Sequence, residues 1–384
     1  MRFDRVTDEG ELTVKLYRAG VVAGLIASGL LLAACGSSSK NSGGSSTTPA
    51  GGNSSTSTTD CKTGTLKSDG STAQQNAMTQ WIKDYQTKCS GATITYGGGG
   101  SGQGVTDFTA KQVDFAGSDA ALDPTKGEVA KATTACGSQT IDLPMVTGPI
   151  AIGYNVKGVT SLTLTPDVLA KIFLGKITTW NDAAIAAINS GVSLPSEKIT
   201  VFNRSDASGT TQNFERYLAA SASAEWTIAP SKTWGGAGQG KKGNQLVGSA
   251  VQSTEGSIAY VEWSYAIQNN LSQAKVDNGA GAVELTSDTV GKTVATATVN
   301  PSGPGDLTLK LNYATKTAGS YPIVLVTYEI VCSKYSDPTV GALVKSFMNF
   351  ISSSAEQSAV HNLGYAALPA AVQTQVQAEI ANIS

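Results

Sequence analysis

The sequence predicts an α/β fold arranged as two domains or lobes. Three observations point there. The 384 residues exceed the usual size of one domain and suit two. The 40% hydrophobic and 15% charged content is that of a soluble globular body with material for a core. At three places a strand pattern runs into a turn carrying Ser or Thr beside Gly, and then into a helix pattern. No internal repeat accompanies them.

The first element, before the folded body, is an export signal. Lys15 and Arg18 precede the apolar run AGVVAGLIASGLLLAA, which ends at Cys35-Gly36. The run is short for a membrane span and has a basic flank, as signal peptides do. Its last residues, LLAAC, resemble a bacterial lipoprotein signal. Residues 1–34 are therefore expected to be cleaved and Cys35 to carry lipid. The opening MRFDRVTDEGEL is acidic for such a flank, so translation is expected to begin nearer Val14. Residues 36–59 are rich in Ser, Thr and Gly and cannot offset the entropy of ordering. With the lipidated Cys35 they make a flexible tether, 35–59, holding the body outside the cell at the membrane's outer face.

Four cysteines remain in the body: Cys61, Cys89, Cys136 and Cys332. In an exported chain an even number suggests disulfides, and no C-x-x-C spacing supports zinc or redox chemistry. Three pairings are possible. Cys61–Cys89 is favoured because Cys61 precedes the first strand and Cys89 ends the following helix, at the same edge of a sheet. Cys136–Cys332 follows by elimination.

The first strand and helix are TGTLKSDG and STAQQNAMTQWIKDYQTK. Ala73, Ala77, Trp81 and Tyr85 recur every fourth residue, with Met78 and Ile82 alongside, which gives one apolar face. Ser71 or Thr72 is the expected N-cap. ATITYGGGG then runs into SGQGVTDFTAKQ, a second strand and helix start. The third copy is ITVFNRSDASGTTQNFERYL, with Phe214, Tyr217 and Leu218 on one helix side. The run GGAGQGKKG at 235–243 lacks the Ser or Thr a P-loop needs after its lysine, and reads as a loop.

Helix N-termini have unpaired N–H groups and a positive dipole end, and glycine lets them approach a ligand. Several such ends converging at the carboxyl ends of strands would form an anion site. A net charge of −2 argues against a nucleic-acid partner. Arg204 offers a planar fork suited to a tetrahedral oxyanion, and Asp206 could orient it. Asp119 fits an anion that still carries a proton, which a carboxylate can accept. Phosphate near neutral pH keeps one, its second pKa lying near about 6–7, and sulfate does not. Each group also has a plainer reading. The glycine run could be a linker, Ser208 a mere cap, and Asp119 or Arg204 a surface charge. The single histidine, His361, is expected to be structural or at the surface.

GSTAQ (70–74), GGGGSGQGV (97–105), DFAGSDAAL (114–122), LAKIFLGKITTWND (169–182), RSDASGTT (204–211), GSIAYVEWSYA (256–266) and YPIVLVTYEIV (321–331) resemble the PstS family. These are phosphate-binding proteins of bacterial ABC phosphate importers, and the likeness is closest to actinobacterial lipoproteins. It spans the body from about Cys61 to the C-terminus.

The resemblance implies a two-lobed, periplasmic-binding-protein-like fold of type II, two α/β lobes joined by crossing hinge strands. It implies lobe one at 60–147 plus 323–384 and lobe two at 148–322, with LPMVTGPIAIGYN and YPIVLVTYEIV as crossings. The C-terminal AAVQTQVQAEIANIS would pack on lobe one. The implied phosphate ligands are Thr72, the Ala73 backbone, Ser101, Asp119, Arg204, Ser208, Gly209 and Thr210, supported by Asp206, Gly100 and Gly102. Ala73 stands where the family commonly has a bulkier aromatic. The expected function is capture of inorganic phosphate and delivery to an ABC permease, by a monomer that is not an enzyme and uses no cofactor or metal. The alternatives are another oxyanion such as sulfate or molybdate in the same fold, a surface phosphate-ester hydrolase, or an adhesin. The first meets a bare carboxylate at Asp119, and the second lacks a visible general base.

Overall fold

The computed structural model describes residues 59–299 and 306–384. The expected signal peptide, Cys35 and all but the last residue of the tether lie outside the described residues. The body begins with β1 (Gly64–Gly70), whose alternate residues Leu66, Ser68 and Gly70 turn inward. It leads to α1 (Gln75–Lys88), which buries Ala77, Met78, Trp81 and Tyr85. That is the face the four-residue spacing predicts, less its first member. Ala73 precedes the helix and joins a different core cluster. The expected cap at Ser71 or Thr72 is not formed. The helix starts at Gln75, and Gln74, its N-cap, makes no side-chain cap bond. The Ser71 hydroxyl instead accepts the Ala73 N–H at 2.9 Å, inside the preceding turn.

Next come β2 (Ala92–Gly97), α2 (Ser101–Thr109), β3 (Phe115–Ser118), α3 (Glu128–Cys136) and the long β4 (Thr140–Asn155). β5 (Thr200–Arg204) feeds α5 (Gly209–Ser221), with α4 (Pro166–Phe173) before them. β6 (Gln239–Lys241) feeds α6 (Gly243–Ser253). The stretch 235–243 is thus not simply a loop. Its QGK is an edge strand parallel to β5, and its last glycine opens a helix. β7 (Ser257–Glu262), β8 (Val324–Cys332), α7 (Pro338–Ile351) and α8 (Ala370–Ile380) complete the frame.

The sheet order is β2-β1-β3-β8-β4-β7-β5-β6. Pairs β1–β2 and β1–β3 are parallel at one end, and β5–β6 and β5–β7 at the other. The antiparallel strands β8 and β4 run between. β4 changes neighbour along its length, pairing with β8 through Pro149 and with β7 from Ile150. All its residues but Asn155 are buried, as a strand covered on both faces requires. At about 50 Å it is long enough to serve both lobes.

Each lobe has its own core. In the first, Leu66, Trp81, Phe115 and Phe347 pack together, and Val372, Val376 and Ile380 of α8 join them. In the second, Phe173, Phe214, Trp226 and Tyr260 are buried with Ile150 and Ile152. Phe214 stacks on Tyr260 at 4.7 Å, and Phe173 meets its edge at 4.9 Å. Leu309, in the antiparallel pair Thr298–Val299 with Leu309–Lys310, packs against the first core. Disulfides join Cys61 to Cys89 and Cys136 to Cys332. The first ties the approach to β1 to the end of α1, and the second ties α3 to β8. Among the described residues no helix is long and apolar enough to cross a membrane.

A candidate anion cleft between the two lobes

Four helix starts meet at the seam between the lobes. From the first lobe come the turn before α1 and the start of α2. From the second come the starts of α5 and α6. The glycines in YGGGGSGQG explain how the backbones approach so closely. Gly100 has φ +100°, and a Cβ there would lie 2.5 Å from Asp206 Oδ2. The Gly102 N–H donates to the Ala207 carbonyl at 2.9 Å, and a Cβ at Gly102 would lie 2.4 Å from that of Ala207. Gly209 sits against Asp119 and Ser101 with equally little room.

The Ser101 hydroxyl accepts from the Asp119 N–H and the Gly209 N–H, both at 3.2 Å, so it bridges the lobes. Asp119, at the end of β3, is 2% exposed. One carboxyl oxygen accepts from the Ser71 hydroxyl and the other from Thr210 Oγ1 at 3.1 Å. Burial pushes its pKa up from the ordinary aspartate range, while the Ser71 hydroxyl and the Arg204 charge pull it back.

Arg204 ends β5 and is as buried as Asp119. Its guanidinium forms a two-point pair with Asp206, with Nε to Oδ1 at 2.8 Å, and Nη1 reaches Thr210 Oγ1 at 3.5 Å. Burial opposes charge on Asp206, but the guanidinium and the Gly243 N–H together hold its carboxyl below the usual range. Behind Arg204, its own N–H donates to the Tyr260 hydroxyl at 3.1 Å. Burial pushes that phenol far up, so it stays neutral.

The expected residues are therefore brought together. Ser208 is present but its hydroxyl caps α5, accepting the Thr211 N–H at 3.2 Å. The Ala73 N–H is used by Ser71, and the Ala73 carbonyl accepts from Tyr365 at 2.7 Å. His361 is exposed in the short turn His361–Leu363. Sequence reasoning missed Asn244 and gave Ser71 the wrong task. Asn244 donates through its side chain to Thr72 Oγ1 at 2.9 Å and to Thr210 Oγ1 at 3.3 Å. Its own N–H adds a bond to Thr72 Oγ1 at 3.2 Å, and its Oδ1 accepts the Glu262 N–H at 3.0 Å. The sequence marks Asn244 only weakly: Gly243 opens the helix, but no Ser or Thr stands beside it as at the other three junctions. Among the described residues no group of His, Cys, Asp and Glu could hold a metal ion.

Two α/β lobes on one sheet, with hydroxyls, backbone N–H groups and an arginine facing each other across the seam, define a two-lobed solute-binding protein. The PBP superfamily domain matches residues 55–355. The chain is 50% identical over 289 residues to phosphate-binding protein PstS 3 of Mycobacterium leprae, covering 74% of this chain and 78% of that one. It is 45% identical over 324 residues to phosphate-binding protein PstS 2 of Mycobacterium tuberculosis, covering 83% and 87%. The chain belongs to the PstS family. A high-affinity periplasmic phosphate-binding protein solved with phosphate bound (PfluDING) shares the fold, with TM-score 0.67 at 23% identity over 82% of this chain and 93% of that one.

Proposed function

We propose that this protein captures inorganic phosphate between its lobes and delivers it to an ABC-type import permease. The observation that carries the reading is the pairing of one buried carboxylate with convergent donors. Ser101, Thr72 and Arg204 would donate to phosphate oxygens, as would Thr210, the Gly209 N–H, the Ala73 N–H and Ser208 after a change of partner. Asp119 would accept the proton that phosphate retains. With Arg204 already paired to Asp206, the cradle works by oriented donors more than by net charge. Donors from both lobes on one ligand make its binding energy the force that favours the closed form.

The lobes are taken as 60–147 plus 323–384 and 148–322. The change of neighbour along β4 at residues 149–150 supports that division. The protein acts as a monomer, held by lipid on Cys35 at the outer face of the membrane. The relatives' names support the ligand and transport reading.

Calorimetry on the full chain, freed of phosphate by unfolding and refolding, tests it. One phosphate bound per chain near pH 7, with no heat from sulfate, is the expected result. Binding of neither anion would overturn the reading.

A further inference from the structure

Beneath the Ser71–Ala73 turn lies a buried polar niche that the anion cradle itself does not touch. Its members are Gln74, Tyr96 of β2, Gly117 of β3 and Glu329 of β8. Glu329 sits opposite Gly117 in one ladder and opposite Leu143 in the next. The missing side chain at Gly117 makes the space. A Cβ there would lie 1.9 Å from Gln74 Nε2 and 2.4 Å from the Tyr96 hydroxyl. Gln74 Nε2 donates to the Tyr96 hydroxyl at 3.0 Å, which donates to the Ser71 carbonyl at 2.8 Å. The Ser71 hydroxyl in turn donates to Asp119. The niche is thus wired to the acceptor of the cradle.

Its donors and acceptors do not balance if Glu329 is ionised. Glu329 and Gln74 are wholly buried. Among the described residues neither Glu329 oxygen has a hydrogen-bond partner, and neither has Gln74 Oε1, although the Gln74 amide stands close enough to influence the acid. Three buried acceptor atoms of this niche are thus left unpaired. One proton on Glu329 eases this, since it removes the buried charge and supplies an O–H for Gln74 Oε1, leaving one neutral acid oxygen unpaired. Turning the amide over would give Glu329 an N–H but would take the Tyr96 hydroxyl from the Ser71 carbonyl. It would also leave a buried carboxylate without a cation. The titratable groups around the niche are Asp119 after β3, Asp69 on β1 and the phenol of Tyr96. None brings positive charge, and β4 presents apolar Leu143. Burial first, and then the Asp119 charge, push Glu329 to about 8, with the Gln74 amide pulling back.

Resting on the phosphate reading above, we propose that Glu329 is a positioning residue of the cradle. As a neutral acid it donates to Gln74 and fixes the Gln74–Tyr96–Ser71 relay that aims the Ser71 hydroxyl at Asp119. Its ionisation slackens that relay and weakens the hold on the anion. Proton and phosphate are therefore bound cooperatively although they do not touch.

The test is phosphate calorimetry on the full chain at pH 7, 8 and 9, for wild type, Glu329→Gln and Tyr96→Phe. Glutamine keeps a donor for Gln74 and cannot ionise. The neutral fraction of Glu329 falls from about nine-tenths at pH 7 to about one-tenth at pH 9. Wild-type affinity should therefore fall by up to about tenfold relative to Glu329→Gln over that range. Tyr96→Phe cuts the relay and should show the same flattened pH dependence at lower affinity. Parallel pH curves for all three proteins would overturn the proposal. Carbon-13 NMR of the glutamate carboxyls supplies an independent arm. The resonance missing from Glu329→Gln should titrate near pH 8 in wild type, and titration in the ordinary glutamate range overturns the proposal whatever the ligand. Absence of phosphate binding by wild type at pH 7 overturns the ligand reading and the coupling to it, and the NMR titration then decides alone whether Glu329 holds a proton.

Discussion

Replacing Gly209 by alanine should keep the fold and prevent tight closure. A Cβ at this position would lie 2.6 Å from Asp119 Cβ and 2.8 Å from Ser101 Oγ, both in the other lobe. Carbon atoms pack at about 3.5–4.0 Å, so the lobes must part by about 1 Å at this point. The bonds from Gly209 N to Ser101 at 3.2 Å and from Thr210 to Asp119 at 3.1 Å would then stretch past useful length. Overpacking of this kind costs about 1–3 kcal/mol. The cost falls on the closed form, because the nearest atoms the methyl group would meet, Asp119 Cβ and Cα and Ser101 Oγ, all belong to the other lobe. Phosphate affinity should drop between about fivefold and a hundredfold, with the unfolding midpoint of the unliganded chain little changed. Gly291→Ala is the control, since a Cβ there meets nothing within 4 Å and the residue is helical. It should leave affinity alone and add about 0.5–1 kcal/mol of stability. Calorimetry with thermal melts reads both. Wild-type affinity in Gly209→Ala would refute the claim that this contact is part of closure.

Asp119→Asn should admit sulfate, because the amide can donate where the carboxylate repels. Unchanged selectivity in anion titrations would count against the acceptor role. Asp142, 5% exposed, accepts the Leu122 N–H at 3.3 Å, and burial followed by the Asp306 charge raises it from 3.8 to about 8. The folded chain therefore holds a proton that the unfolded chain releases near pH 4. This contribution to stability is full below that pH and is lost as pH rises to about 8. Asp142→Asn should be more stable than wild type by on the order of 5 kcal/mol at pH 8 and equal at pH 4, and parallel denaturation curves would contradict this. Replacing both Cys136 and Cys332 by alanine should cost roughly 1–2 kcal/mol more than replacing both Cys61 and Cys89. The loops are 196 and 28 residues, and loop entropy grows with length. Urea denaturation of the two variants measures the difference.

Three of the four junctions at the seam were legible because each sets a β-branched strand against a helix with an apolar face. The fourth was not, because β6 is three polar or glycine residues on a sheet edge with no inward face to leave a pattern. Asn244 acquires its role only from sheet order, which sets α6 beside α5. Ala73 misled for a related reason. It continues the four-residue spacing of α1 by coincidence and belongs to the other lobe's core. The crossing strands were visible as long, mostly apolar runs, since both faces of β4 are covered. Glu329 was hidden inside such a run, and its meaning depends on the empty side of Gly117 across the ladder.

The return of the chain through β8 also bears on how the molecule is made. β8 lies between β3 and β4 in the sheet, yet it is synthesised more than a hundred residues after both. The first lobe must therefore wait with its sheet incomplete while the contiguous second lobe emerges and can fold. Cys89 can find Cys61 early, whereas Cys136 remains an unpaired thiol until Cys332 arrives. An arrested chain ending before residue 324 would present an open edge on β3, a free thiol on α3 and a finished neighbour. The order of synthesis thus makes the last strand the step that commits both halves to one molecule.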